Sequence, residues 1–96
     1  MDLLKKCFRK SLYVISRPVG EEIVIVPTAG RKQDLEKIYT ISGSGVRVWN
    51  LIDGKRSLGM IRNILIKEFD VSPGKLEKDL ALIISELINK KFIEIA

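Results

Sequence analysis

Three segments in the first half of the chain have the apolar content and the alternation that strands require. Residues 12–16 and 22–26 are rich in Val and Ile, and a turn signal at Gly20 lies between them. Residues 35–41 alternate apolar and polar positions, which is typical of a strand with one buried and one partly polar face. The pattern therefore predicts three strands, of which the first two form a hairpin.

The next segment has the periodicity of a short helix. The helical pattern stops at an Asp-Gly pair, and its apolar positions are Val46, Val48, Trp49 and Ile52. Ser42 is the expected N-cap of this helix. Glycine weakens the first turn of a helix by roughly 1 kcal/mol relative to Ala. Gly43 and Gly45 are therefore expected to mark close backbone packing. The single Trp has aliphatic neighbours and is predicted to lie in the core.

Two longer helices follow. Ser57 is the expected N-cap of the second helix, whose apolar positions recur at steps of three and four residues. The third helix is predicted over residues 73–90, with Ser72 as its cap and Pro73 at its first position. Residues 92–95 form a short apolar segment that is predicted to be extended.

The third helix has an apolar arc that is wider than docking on one side requires. Its core stripe is predicted to contain Leu76, Leu80, Ile83, Ile84 and Leu87. Ala81 and Ile88 widen this stripe on the Ile84 side, whereas Leu82 stands apart on a polar side with Glu86. The surplus apolar surface suggests that this helix contacts something besides its own core.

The order of these elements predicts the fold class. Strands followed by helices indicate an α+β, winged-helix-like domain with three N-terminal β-strands followed by three α-helices. Residues 11–96 are predicted to form this single domain, and residues 1–10 a basic N-terminal segment. That segment is expected to be either a short amphipathic helix, with Leu4 and Phe8 on its apolar side, or a partly ordered terminus.

The composition excludes several classes of function. The chain has no His and a single Cys, Cys7, so it shows neither a pattern of metal ligands nor a nucleophile beside an evident base. We therefore expect no enzymatic activity, no cofactor and no metal. No apolar run has the length of a membrane span, and the N-terminus does not resemble a signal peptide. These features predict a cytoplasmic protein without a membrane partner.

The net charge of +5 raises the question of nucleic-acid binding. Most of this charge lies in residues 1–32, away from the helix that would enter a DNA groove. The third helix has no Arg, mixes Lys with Glu and Asp, and offers only Asn89 as a base-reading amide. A winged-helix DNA-binding regulator is therefore the weaker alternative, and nucleic acid is not the expected partner.

A third strand next to an apolar helix favours peptide recognition. The outer edge of such a strand offers unpaired backbone N–H and C=O groups, and the helix offers pockets for alternate side chains. An extended peptide can bind there as an added strand. The same edge can accept a second copy of the chain, so a homodimeric interaction domain stays open as an alternative.

The sequence also resembles the coenzyme PQQ synthesis protein D (PqqD) family over about residues 11–95. The resemblance is carried by Ile41-Ser42, Gly45, Val48-Trp49, Leu51-Ile52-Asp53-Gly54, the helix after Ser57, and the spacing of Leu76, Asp79-Leu80, Ile83-Ile84 and Leu87. Arg17-Pro18 near the start and Phe92-Ile93 near the end fit the same pattern.

This resemblance implies a non-catalytic peptide chaperone. Members of the family bind the leader of a ribosomally made precursor peptide and present it to a peptide-modifying enzyme, often a radical S-adenosylmethionine enzyme. Such pathways make PQQ or related modified peptides. The leader is added as a fourth strand next to the third strand of the domain and packs against its third helix.

Carried onto this sequence, the resemblance places the peptide site on the third strand and the last helix. The strand residues are Lys37, Ile38, Tyr39, Thr40 and Ile41. The helix face is expected to comprise Ala81, Ile84 and Ile88, with Leu82 and Glu86 on the competing face. Lys37 and Lys78 are expected to attract an acidic leader and to tune the rate of binding more than its affinity.

Overall fold

Among the described residues, four strands come first along the chain, the three predicted helices follow, and a fifth strand comes after them. The computed structural model describes residues 3–28 and 38–96. Its elements are a 3-10 turn (Leu3–Lys5), β1 (Phe8–Lys10), β2 (Val14–Val19), β3 (Glu22–Pro27), β4 (Tyr39–Ile41), α1 (Ser44–Leu51), α2 (Leu58–Glu68), α3 (Pro73–Asn89) and β5 (Ile93–Ile95). This order confirms the α+β class, and β2, β3 and β4 correspond to the three predicted strands; residues 35–37 of the third prediction lie outside the described part of the chain.

The central sheet is antiparallel and has the order β2-β3-β4. β2 and β3 form a hairpin at Gly20, whose φ of 62° lies in the left-handed region that glycine favours. The register aligns Ile41 with Ile23 and Tyr39 with Ile25. Ile23, Ile25 and Ile41 are buried, so the inner face of the sheet packs on the helices. β4 is an edge strand of this sheet.

The N-terminal segment differs from both of its predicted forms. Leu3–Lys5 form only a single 3-10 turn, and Phe8–Lys10 pair antiparallel with β5 near the end of the chain. Phe8 is 2% exposed and belongs to the core. The apolar pattern predicted a helix, but pairing with β5 satisfies the backbone N–H and C=O groups of this segment just as a helix would. The same pairing also allows the Phe8 side chain to be buried.

Two predicted helix caps have different outcomes. The Oγ of Ser57 accepts a hydrogen bond from the backbone N–H of Met60 over 3.2 Å, which confirms Ser57 as the N-cap of α2. The prediction of Ser42 as the cap of α1 is wrong, because α1 begins at Ser44 and Gly43 occupies the cap position. Gly43 has a φ of 62°, a conformation that other residues rarely adopt.

The third helix begins at Pro73, as predicted, and ends at Asn89. Beyond its end, Lys91 has a φ of 62°, and the N–H of Phe92 donates to the carbonyl of Leu87 over 3.0 Å. These are the features of a Schellman turn, which returns the chain towards β5. In the part of the chain that the structure describes, no helix is long and apolar enough to cross a membrane.

The core lies between the inner face of the central sheet and the three helices. Trp49 is 1% exposed, which confirms its predicted place in the core. Four of the five residues in the predicted stripe of α3 are buried, namely Leu76, Leu80, Ile84 and Leu87. The fifth, Ile83, is only partly buried. Each large side chain in this core stabilises the fold by roughly 1.5–3 kcal/mol relative to an exposed position.

Candidate functional site

The open edge of the central sheet lies at β4. On the side that faces away from β3, β4 has no strand partner among residues 3–28 and 38–96. The backbone groups of such an edge are available to an added strand. Side chains alternate along it: Ile41 is buried towards the helices, whereas Thr40 and the preceding Ile38 are exposed on the other face.

A groove lies between this edge and α3. It has a volume of about 220 Å³ and is lined by Tyr39, Ile41, Ser42, Ser44, Gly45, Ile83, Glu86 and Leu87. The buried apolar side chains of Ile41 and Leu87 form its floor. The exposed polar residues Ser42, Ser44 and Glu86 form its rim. An extended peptide in this groove would meet backbone groups of β4 on one side and apolar side chains of α3 on the other.

Tyr39 connects the edge strand to the C-terminal end of α3. Its hydroxyl donates a hydrogen bond of 2.6 Å to Oε1 of Glu86, and the Nζ of Lys90 lies 4.7 Å from the centre of its ring. The ring also contacts Phe92, with centroids 5.6 Å apart. The hydrogen bond to Glu86, aided by desolvation, raises the pKa of Tyr39 to about 12. The phenol is therefore neutral at physiological pH and remains a donor to Glu86.

Close packing at the start of α1 defines the other end of the groove. A Cβ atom built on Gly45 would lie 2.8 Å from Cγ2 of Ile41. That distance is too short for two carbon atoms, so only glycine lets α1 approach β4 this closely. The prediction of close packing is confirmed at Gly45 and is wrong at Gly43, where an added Cβ atom would meet nothing within 4 Å and the left-handed φ accounts for the glycine.

The Asp-Gly step after α1 has a structural role. Oδ1 of Asp53 accepts hydrogen bonds from the backbone N–H groups of Arg56 and Lys55, each over 2.9 Å, and these bonds lower the pKa of Asp53. Gly54 follows with a φ of 81°, in the left-handed region. Together the two residues form the turn that directs the chain from α1 to α2.

The helix side that faces β4 differs from the predicted one. Ile83 and Glu86 line the groove, whereas Ala81 and Ile88 lie outside its lining. Ile84 is 0% exposed and is enclosed in the core, so it cannot contact a ligand without rearrangement. The apolar arc of α3 extends to both sides of its buried stripe, so a helical wheel alone does not show which side faces the sheet. The hydrogen bond between Tyr39 and Glu86 fixes that orientation.

The remaining predicted site residues are divided between groove and surface. Tyr39 and Ile41 line the groove, and Glu86, which was placed on the competing helix face, lines it too. Leu82 is 71% exposed and lies outside the lining. Lys37 lies outside the residues that the structure describes.

Five lining residues were not predicted as site residues: Ser42, Ser44, Gly45, Ile83 and Leu87. Ile83 and Leu87 were assigned to the core, and Ser42 to a helix cap. The position of Ile83 at the border of the apolar stripe, next to the polar side of α3, was the signal that could have identified it. The sequence contains no comparable signal for Ser44, because its place depends on how closely α1 approaches β4.

The chemical groups of the groove support binding. Its lining residues provide the hydroxyls of Ser42, Ser44 and Tyr39, a carboxylate that accepts from Tyr39, and apolar side chains. Among the described side chains, no group of three His, Cys, Asp or Glu residues is arranged to hold a metal ion. Cys7 lies elsewhere, where its thiol donates a weak hydrogen bond of 3.7 Å to the carbonyl of Lys55.

Comparisons with known proteins agree with this architecture. The family model of coenzyme PQQ synthesis protein D (PqqD) matches residues 22–93. A relative, the PqqA binding protein of Gluconobacter oxydans (strain 621H), is 34% identical over 58 residues. The match covers 60% of this chain and 60% of that protein. The chain therefore spans less than two thirds of the relative's own length.

A solved structure has the same fold. TbiB1 in complex with the TbiA(beta) leader peptide superposes with a TM-score of 0.77, over 90% of this chain and 94% of that one, at 22% sequence identity. The family match covers most of the chain and includes β3, β4 and all three helices. The chain therefore belongs to the coenzyme PQQ synthesis protein D (PqqD) family.

Proposed function

We propose that this protein binds the leader segment of a ribosomally made precursor peptide by adding it as a strand to β4. The observation that carries the proposal is the open edge of β4 with an apolar groove between it and α3. An open edge alone would accept any extended backbone. The groove adds a surface that distinguishes one side chain from another, which a recognition element needs.

The relatives support the choice of ligand. The PqqA binding protein is named for a peptide partner, and TbiB1 was solved with a leader peptide. Family membership extends this class of ligand to the present chain, whose candidate groove lies within the matched residues. The ligand we propose is therefore a leader peptide in an extended conformation.

Binding would divide affinity and selectivity between two parts of the site. Main-chain hydrogen bonds to β4 would supply affinity with little dependence on sequence, because each residue has the same backbone groups. Alternate side chains would point into the groove towards Ile83 and Leu87, which favour apolar partners. Micromolar or tighter affinity, about −8 kcal/mol at 1 μM, would suit a protein that must also release its peptide.

We further propose that the protein is a non-catalytic chaperone that presents the bound leader to a peptide-modifying enzyme, such as a radical S-adenosylmethionine enzyme. A leader held along β4 would leave the rest of the precursor free to enter another active site. The apolar and backbone character of the groove supports binding as its role.

The proposal can be tested with a synthetic leader from any short precursor peptide that is found encoded beside the gene of this protein. Isothermal titration calorimetry would compare the unmodified leader with leaders methylated at one backbone nitrogen at a time. We expect affinity to fall at every second residue of one short stretch, because alternate N–H groups of an added strand face its partner. Methylation of residues outside that stretch is the control.

Other results would identify other functions. Unchanged affinity for every methylated leader would contradict strand addition. Tight, salt-sensitive binding of duplex DNA with no binding of the leader would favour the regulator alternative. A dimer that dissociates when the leader is added would show that a second copy competes for the same edge.

A further inference from the structure

A second crevice lies next to the groove, between α1, the C-terminal end of α2 and the N-terminal half of α3. Its volume is about 170 Å³. Four of the side chains that line it, Val48, Leu65, Leu76 and Leu80, are no more than 8% exposed and form an apolar floor. A small domain normally closes such a space with its own side chains, so an open apolar floor needs an explanation.

The rim of this crevice exposes two large apolar side chains. Phe69 is 39% exposed and Val71 is 37% exposed. Their positions are fixed by the backbone, since the N–H of Phe69 donates to the carbonyl of Leu65 over 2.8 Å and the N–H of Val71 donates to the carbonyl of Phe69 over 2.7 Å. The crevice is therefore a formed feature with an apolar floor and an apolar rim.

The crevice is continuous with the groove along α3. Ser44 and Ile83 line both spaces. β4 ends at Ile41, and the chain then passes through Ser42 into α1, so the crevice lies beyond this end of the strand. A peptide rises about 3.3 Å per residue when extended. A peptide paired with β4 would thus reach the crevice within a few residues of its paired stretch.

We propose that this crevice is a second anchor site, which takes one large aliphatic or aromatic side chain of the same bound peptide. The inference rests on the proposed function and adds a specificity element to it. The floor has no polar side chain, and the charged residues at the rim, Lys75 and Asp79, have opposite signs. An uncharged apolar side chain is therefore the matching ligand, and the recognised sequence has two apolar anchors at a fixed spacing.

The experiment uses peptides selected from a random library for binding to the intact protein, so that the natural precursor need not be known. Each selected peptide is scanned with alanine by calorimetry. We expect two apolar positions at constant spacing, each of which weakens binding roughly 10- to 100-fold when changed to alanine, as the loss of a buried large side chain would.

Variants of the protein then assign the second anchor to the crevice. Val71→Asp places a charge at the rim and is expected to weaken binding by a similar factor, whereas Leu82→Asp on the exposed side of α3 is the matched control. In Val71→Asp the alanine substitution at the second anchor should cause little further loss. Circular dichroism checks folding, and Val71→Ser serves if the aspartate variant does not fold.

The outcomes separate the inference from the proposed function. Methyl resonances of Val48 and Leu65 should shift when the two-anchor peptide is added. They should not shift when the peptide has alanine at the second anchor. Selected peptides that bind through a single anchor, or that bind Val71→Asp as tightly as the wild type, would overturn the second anchor while leaving the proposed function intact. A failure to select any binding peptide would overturn both.

Discussion

Within the described part of the chain, the central sheet has two outer strands, β2 and β4, and of these two β4 has the surroundings of a binding site. β2 is the longer of the two, with six residues against three. It contains Pro18, which has no backbone N–H to donate, and the charged Arg17. Proline and charged side chains on an outer strand are common protections against unwanted strand pairing.

The difference between the two strands lies in what stands next to them. α3 lies beside β4, and Tyr39 joins the two through its hydrogen bond to Glu86. No residue of β2 lines the groove or the second crevice. An outer strand by itself provides generic pairing, whereas the same strand with an apolar helix beside it provides a site that can select its ligand.

The largest effect should come from a charge placed in the groove. We expect Ile83→Asp to weaken leader binding about 100-fold or more, because an apolar peptide side chain would have to desolvate the carboxylate. Leu82→Asp changes the neighbouring exposed residue and should leave the dissociation constant unchanged. Ile15→Asp on β2 is the second control. Equal losses in Ile83→Asp and Ile15→Asp would mean that the two outer strands are not distinguished.

A smaller effect is expected where α1 approaches β4. Gly45→Ala should destabilise the protein by about 1 kcal/mol, because overpacking against Ile41 outweighs the better helix propensity of Ala. Gly74→Ala is the matched control, since its added Cβ meets no atom within 4 Å. That variant should be more stable than the wild type by about 0.5–1 kcal/mol. Urea unfolding measures both, and a stabilising Gly45→Ala would contradict the close approach.

The turn after α3 offers a stabilising change of slightly smaller size. Lys91 has a φ of 62°, which is unfavourable for a residue with a side chain. Lys91→Gly should therefore raise the free energy of unfolding by roughly 0.5–1 kcal/mol, because the relief of about 1–2 kcal/mol of left-handed strain exceeds the extra chain entropy that glycine loses on folding. Lys90→Gly removes a neighbouring lysine at a position with a φ of −84° and should not stabilise. A loss of stability in Lys91→Gly would show that the lysine side chain makes a compensating contact.

The weakest effect concerns the link between Tyr39 and Glu86. The pKa of Tyr39 is raised from 10.0 to about 12, so the neutral phenol is favoured in the folded state. The hydrogen bond therefore contributes fully to folding stability below pH 10, the ordinary pKa that applies in the unfolded state. This contribution is lost as the pH rises through the folded-state pKa of about 12. Ultraviolet titration of the phenol in a Tyr13→Phe background should show this midpoint. In Glu86→Gln the midpoint should fall towards 10, and an unchanged midpoint would contradict the hydrogen bond.

The sequence predicted the parts of the site that depend on local patterns. Alternation identified the edge strand, periodicity identified α3, and the glycine at position 45 indicated the close approach of α1. Trp49 could be assigned to the core because its neighbours along the helix are aliphatic. In each case the relevant information lies within one element or within its first turn.

The parts that the sequence did not predict depend on contacts between distant segments. The side of α3 that faces β4 is fixed by Tyr39 and Glu86, which are 47 positions apart. The pairing of Phe8–Lys10 with β5 joins the two ends of the described chain. A wheel or an alternation pattern contains no information about such partners, so the apolar sides of α3 could not be told apart.

The most direct test of the account is a titration of the leader peptide into ¹⁵N-labelled protein, followed by the amide resonances. We expect the largest shifts at residues 38–45, which include β4, and at residues 79–90, which cover the C-terminal part of α3 and its cap, because the added strand would contact both. Amides of β2, residues 14–19, should remain unchanged and serve as the internal comparison. Shifts that cluster on β2 or on α2, with β4 unaffected, would contradict binding by strand addition at β4.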